Sequence, residues 1–232
     1  MKIYLLAEGQ QSRFKEFSEP KQLFNVSGES ILGRITRQVE ERWGIKPVLV
    51  ARNVDILSAA DKLGLEVYSY EKEYILEAVV STQDTWDDFN LFLLADVIFS
   101  NKAMDLIKEN VEEVKFFGRF GPTNIARKPY GEIFAFTFNS SWKQKVKNMV
   151  EYILNLPSEK THKGRKKMWE LYRALSGTPM LAHIKTELFF DVFTTLNSED
   201  FTDDIDTEEE KIINLPIIER LIFEREDRVN ER

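Results

Sequence analysis

Short, uninterrupted apolar runs alternate in this chain with stretches whose apolar residues recur every three or four positions. That alternation restricts the fold more than any other feature. Ile3 to Ala7 and Leu91 to Ala95 carry no polar interruption, as expected of strands covered on both faces, and Lys46 to Ala51 reads as a third buried strand. Between them Ile31, Leu32, Ile35, Val39 and Trp43 recur at helical spacing behind a capping Ser30. A second helix is expected from Asp55 to Leu63, ended near Gly64, then a short strand at Leu65 to Tyr68 and a third helix from Glu73 to Thr82. Strands separated by helices of this length predict an α/β fold, with a mostly parallel central sheet flanked by helices on both faces. Ligands of such sheets lie beyond the carboxyl ends of the strands.

The second half is more mixed. Val114 to Gly118 and Gly131 to Asn139 read as strands, while Trp142, Val146, Met149, Val150, Ile153 and Leu154 form one apolar helix face. Met168, Leu171, Tyr172 and Leu175 form another, with Arg165, Lys166 and Lys167 expected on its solvated side, the alternative being that they grip an acidic substrate. At 232 residues the chain is long enough to bury a core and reads as one domain, residues 1–232, with a helical C-terminal tail.

Composition narrows the function. A net charge of -7 argues against nucleic acid or an anionic membrane as a general partner, so any polyanion site must be local. The absence of cysteine removes disulfides, thiolate catalysis and sulfur-bound zinc, and two histidines, His162 and His183, do not make a histidine-rich metal centre. The first apolar run stops at Glu8, too short for a secretory signal, and no run approaches a membrane span. The expectation is a soluble cytoplasmic protein.

The segment LAEGQQSRF carries the strongest chemical suggestion. Strand one turns at Gly9 into a polar loop, Gln10, Gln11 and Ser12, whose backbone N–H groups could line an anion site, with Arg13 and Lys21 as two cations beside it. Lys21 could equally be an ordinary surface lysine. Neither a P-loop nor a GxGxxG fingerprint is present. Asp96 ends the apolar run at Leu91 and faces the crevice beyond a buried parallel strand, unless it merely caps the next helix. Asp203, Asp204 and Asp206 crowd ahead of a helix expected at Thr207, where Asp206 or Thr207 is the N-cap. Two carboxylates brought together from such distant positions would make a hard oxygen site for Mg2+ alongside substrate phosphates.

The order of these segments resembles the nucleotidyltransferase family that includes the sugar nucleotide pyrophosphorylases. Its loop, its PKxL, its strand ending in Asp and its late acidic segment read here as LAEGQQSRF, PKQLF, LLADVIFS and DDIDTEEE. The resemblance implies a Rossmann-like, GT-A-like architecture, with residues 1–110 as a nucleotide-binding half and 111–232 as an acceptor-binding half. It implies that Leu6, Ala7, Glu8, Gly9, Gln10, Gln11 and Ser12 wrap a nucleotide, that Arg13 and Lys21 contact its phosphates as catalytic cations, and that Asp96 and Asp206 bind Mg2+. Gly118, Gly131 and Glu132 fall where the family contacts the acceptor. The implied reaction transfers a nucleoside monophosphate from a nucleoside triphosphate to a sugar 1-phosphate, releasing pyrophosphate. The alternatives are cytidylyl or guanylyl transfer to another phosphorylated acceptor, and a noncatalytic nucleotide-binding regulatory subunit. Glu8 and Gln11 depart from the alanine and glycine of many relatives, which bears on how closely the loop approaches phosphates.

Overall fold

The computed structural model describes residues 1–7, 19–69, 74–111, 113–119, 121, 131–161, 166–181, 193–195 and 200–227. Strand β1 (Lys2–Leu6) is followed by a 3-10 turn at Lys21–Leu23, a hairpin of β2 (Asn25–Val26) and β3 (Glu29–Ser30), then α1 (Ile31–Trp43), β4 (Val48–Ala51), α2 (Val54–Leu63) and β5 (Glu66–Ser69). Helix α3 (Ile75–Ser81), β6 (Phe89–Leu94), β7 (Val97–Ile98), α4 (Asn101–Glu109), β8 (Val114–Arg119) and β9 (Glu132–Asn139) come next. The remainder is α5 (Lys143–Asn155), α6 (Met168–Ser176), β10 (Phe193–Thr195), β11 (Asp203–Asp204) and α7 (Glu208–Ile222), with a further helical turn at Phe223–Asp227.

Seven strands form one sheet in the order β10-β8-β9-β6-β1-β4-β5, in which β9 runs opposite to the rest. The strand order reverses between β1 and β6, since β4 lies on one side of β1 and β6 on the other. That reversal opens the crevice in which open α/β sheets bind ligands. Alternation along β1 explains how the sheet is covered. Ile3, Leu5 and Ala7 face one core, closed by α1, α2, α4 and α7, whereas Tyr4 and Leu6 face a second, closed by α3, α5 and α6. Among the described residues no helix is long and apolar enough to cross a membrane.

Local signals set the ends of these elements. Ser30 caps α1 by accepting the Gly33 N–H at 3.0 Å, worth about 1 kcal/mol, and Gly44 ends the helix with φ 67°, a left-handed conformation suited to glycine. Asn53 does the same for α2, which Gly64 terminates. An aromatic row crosses the sheet on the second face: Tyr4 pairs with Phe92, Phe92 with Phe136, and Phe136 with Phe116, the Tyr4–Phe92 and Phe116–Phe136 ring centroids each 4.6 Å apart. Such cross-strand pairs fix register, and register decides which residues end at the same edge.

One expectation is corrected here. Lys166 is not solvated but buried, and its Nζ donates to the carbonyls of Ile153, Leu154 and Leu156 at 2.9, 2.5 and 2.7 Å. Helix α6 begins only at Met168, so Lys166 precedes the helical periodicity and reaches back to satisfy the last carbonyls of α5. Lys167 is exposed as expected, and Arg165 lies outside the described residues.

Candidate active site

The site is built where strand ends and one antiparallel exception meet. Leu6 ends β1, and its carbonyl accepts the Ala95 N–H at 3.0 Å, so the residues after β1 and after β6 are held side by side. Ala7 is buried and donates to the Val50 carbonyl at 3.0 Å. Asp96 follows at the turn after β6. It does not cap α4, because Ser100 does, accepting the Ala103 N–H at 2.9 Å. The late acidic segment is carried to the same place by a two-residue antiparallel pairing, in which Asp204 lies opposite Val97 and Asp203 opposite Ile98. Successive residues point to opposite sides, so Asp204 and Asp206 face Lys21 while Asp203 turns toward Arg119.

Lys21 is no surface lysine. Its side chain is 7% exposed, and Nζ lies 2.7 Å from Asp206 Oδ1 and 3.8 Å from Asp204 Oδ2. The short helical turn that carries it starts behind Pro20, whose φ of -61° suits the entry to such a turn, and is closed by the Phe24 N–H donating to the Lys21 carbonyl at 3.0 Å. Burial pulls the ammonium down, but Asp96, Asp204 and Asp206 together outweigh it, so Lys21 stays charged above the ordinary lysine range. For Asp96 burial acts in the other direction. It pushes the carboxyl up to about 6, Lys21 opposes that rise, and the neighbouring Asp204 and Asp206 add to it.

Glu132, expected at an acceptor position, belongs to this same group. Because β9 runs against its neighbours, its first residue lies at the edge where the parallel strands end. One carboxylate oxygen each from Glu132, Asp204 and Asp206 lie within 4.8 Å of one another, all three side chains partly buried. Oxygen donors at that spacing suit a hard divalent cation such as Mg2+. Arg119 carries no signal in the sequence. It faces Glu132 across the β8–β9 ladder, and its Nη2 lies 2.5 Å from Glu132 Oε2 and 3.2 Å from Asp203 Oδ1, with Nη1 donating to the Gly121 carbonyl at 2.8 Å. A register shift at Phe117–Gly118 produces that facing pair, since Phe117 opposes Ala135 but Gly118 opposes Ile133. Burial works against the Arg119 charge, and Glu132, Asp203 and Asp204 more than offset it.

The structure thus brings together Lys21, Asp96 and Asp206 from the predicted set, adds Asp203, Asp204 and Arg119, and moves Glu132 next to the aspartates. Gly118 and Gly131 sit on the same edge, both buried. Glu8, Gly9, Gln10, Gln11, Ser12 and Arg13 lie outside the described residues.

No protein-family model matches the sequence, and no curated protein matches it either. Solved structures do. A protein from Bacillus anthracis assigned as a glucose-1-phosphate thymidylyltransferase aligns with TM-score 0.64 at 17% identity, over 94% of this chain and 95% of that one. The CTP:phosphocholine cytidylyltransferase of Streptococcus pneumoniae aligns with TM-score 0.65 at 12% identity, over 94% of this chain and 98% of that one. HddC from Yersinia pseudotuberculosis, solved with GMP-PN, aligns with TM-score 0.56 at 14% identity, over 94% and 99%. The chain therefore has the nucleotidyltransferase fold over nearly its whole length.

Proposed function

We propose that the protein is an Mg2+-dependent nucleotidyltransferase that moves a nucleoside monophosphate from a nucleoside triphosphate to a sugar 1-phosphate. The observation that carries this reading is the convergence of Lys21, Asp96, Asp204 and Asp206 at the strand-order reversal, from three distant parts of the sequence. In the proposed roles, residues 1–110 hold the triphosphate through Leu6 to Ser12, with Arg13 and Lys21 on its phosphates, and residues 111–232 supply the acceptor side. Glu132, Asp204 and Asp206 give an oxygen donor set that fits Mg2+, with Asp96 beside them. When bound, the ion supplies charge neutralisation and alignment of phosphate oxygens.

The chemistry asks little else of the protein. The acceptor phosphate oxygen forms a bond to the α-phosphorus as the bond to pyrophosphate breaks. A phosphate monoester is already ionised near neutral pH, so no strong general base is required. Lys21 can turn from Asp206 toward the departing phosphates, a movement suited to a flexible lysine carrying a point charge. Losing one such preorganised charge costs about 3 to 4 kcal/mol, roughly a hundredfold to a thousandfold in rate.

Pyrophosphate release from a panel of nucleoside triphosphates and sugar 1-phosphates tests the reading. Lys21→Ala and Asp206→Ala should each reduce turnover by that factor while circular dichroism shows the fold retained. Wild-type turnover in either variant would refute the roles. Transfer to a phosphorylated alcohol is the second reading, favoured by the alignment with the phosphocholine enzyme over 98% of that chain. Including phosphocholine in the panel separates the two. Nucleotide binding with no turnover on any acceptor would instead mark a noncatalytic subunit.

A further inference from the structure

Helix α7 is bonded to each of the segments that carry Asp206, Lys21 and Asp96. At its start Thr207 Oγ1 accepts the Glu210 N–H at 3.1 Å, and Glu210 Oε2 accepts the Asp206 N–H at 2.6 Å. Further along, Lys211 Nζ lies 4.1 Å from the Phe24 ring centroid and Glu219 Oε1 accepts the Ser27 N–H at 3.0 Å, which ties the helix to the turn and hairpin after Lys21. Just past its end Glu226 Oε1 accepts the Asn101 N–H at 2.7 Å, at the first residue of α4. The other Glu226 oxygen pairs with Arg34 of α1, whose Nε donates to the Phe99 carbonyl at 3.3 Å. The Arg34 and Glu226 side chains are 4% and 9% exposed. Both Phe99 and Asn101 belong to the short segment that runs on from Asp96.

The distance between Asp96 and Asp206 depends on how that segment is joined to α7. At the near end the junction is the two-residue pairing of β11 with β7, and the Glu219 bond to the Ser27 N–H ties the middle of the helix to the hairpin rather than to the segment after Asp96. The helix has 15 residues, about 22 Å, and Pro216 removes one of its hydrogen bonds at mid-length, so its far end needs a clamp of its own. Ile218 and Ile222 bury the helix against the core, but apolar contact is non-directional, whereas the two Glu226 oxygens fix a direction.

We infer that Glu226 is a positioning residue for the metal–nucleotide site, clamping the far end of α7 to the segment after Asp96 so that Asp96 and Asp206 keep a productive separation. This rests on the function proposed above.

The test measures Mn2+ binding by electron paramagnetic resonance in the presence of ATP, CTP, GTP, UTP or dTTP, together with the melting temperature, for wild type and three variants. Glu226→Ala should weaken Mn2+ binding about tenfold, at the low end of the range seen when groups that orient metal ligands are removed. Glu226→Gln keeps an acceptor for Asn101 and should lose less. Both singles leave Arg34 buried without its charge partner and should melt earlier. The double variant Arg34→Met with Glu226→Gln removes that stranded charge while Gln38 Nε2, 3.1 Å from the Phe99 carbonyl, still satisfies it. A double variant with recovered melting temperature but still-weakened Mn2+ binding supports the inference. Recovery of both together, or wild-type Mn2+ affinity in the single variants, overturns it. Wild-type protein that binds Mn2+ with none of the five nucleotides overturns the proposed function, and the inference with it. If Glu226→Ala does not fold, the other two variants carry the comparison.

Discussion

Two groups of buried charges, one beneath the helices of one sheet face and one at the carboxyl edge of the strands, differ in balance. On the face of α3, α5 and α6, Glu170 Oε1 accepts from Arg173 Nη1 at 3.0 Å with both side chains 3% exposed, and nearby Lys166 is held by three carbonyls. At the carboxyl edge, Asp96, Asp203, Asp204, Asp206 and Glu132 surround Lys21 and Arg119. In the first group Glu170 and Arg173 pair one anion with one cation, and Lys166 directs its bonds to carbonyls at a helix end. Among the described residues the other sets five carboxylates around two cations. Balanced burial locks structure, whereas unbalanced burial creates demand for a cation, and a protein keeps such a cost where binding a ligand relieves it.

The sharpest way to break this contrast is to remove one member of the balanced pair. Glu170→Ala strands the Arg173 charge, whose Nη2 has no hydrogen-bond partner among the described residues, and is expected to lower unfolding stability by about 3 to 5 kcal/mol in urea titration. Replacing both residues by Met should return most of that loss, less the contribution of Glu170 to the start of α6, where it accepts the Lys167 N–H at 2.9 Å. Pyrophosphate release per folded molecule should be unaffected in the double variant. A large loss of turnover there would show that this pair serves chemistry and that balance is a poor guide.

Lys166→Met is expected to cost less, about 1 to 3 kcal/mol, because the lost donor leaves carbonyls at the end of α5 without it while some gain water. Urea titration measures this too, and turnover at low denaturant should match wild type. An effect below about 0.5 kcal/mol would mean that the buried ammonium is as easily replaced as a surface one.

Both groups are only partly legible in the sequence, for different reasons. The strands and helices of the first half follow from apolar periodicity: β1, α1, β4, α2 and β6 begin within two residues of where Ile3, Ile31, Lys46, Asp55 and Leu91 indicate. Lys21, Asp96 and Asp206 follow from the order of segments along the chain. Arg119 and the place of Glu132 do not, because both depend on the direction of β9 and on the register shift at Phe117–Gly118, which are properties of pairing rather than of either strand alone. Asp204 is visible only as one of a crowd, and the two-residue ladder that aims it at Lys21 is too short to leave a periodic signal. Lys166 is misplaced when a helical wheel is extended two residues beyond the helix. Helix α4 and the hairpin of β2 and β3 carry no run long enough to stand out.

The smallest expected effect is also the most direct measure of the imbalance. Asp96 is held with its carboxyl pushed up to about 6 by burial first and by the surrounding aspartates after it, against Lys21. In the unfolded chain it ionises near 3.8. A carboxyl raised on folding binds its proton more tightly in the folded state, so its contribution is fully present below the unfolded value and is lost as pH rises through about 6. The substitution Asp96→Asn mimics the protonated form at every pH. Metal-free wild type and Asp96→Asn should therefore melt together below pH 3.8, and the variant should melt higher above pH 6, by about 2 to 4 °C if screening leaves roughly 1 kcal/mol. Adding Mg2+ with a nucleoside triphosphate at pH 7.5 should raise wild type more than the variant, since a ligand that binds only the folded form stabilises by mass action and the variant has lost a carboxylate beside the binding oxygens. A gap that stays constant from pH 4 to 8 would mean that Asp96 ionises alike in both states. The carboxylates at the strand ends would then be as well compensated as Glu170 and Arg173, and the contrast between the two groups would disappear.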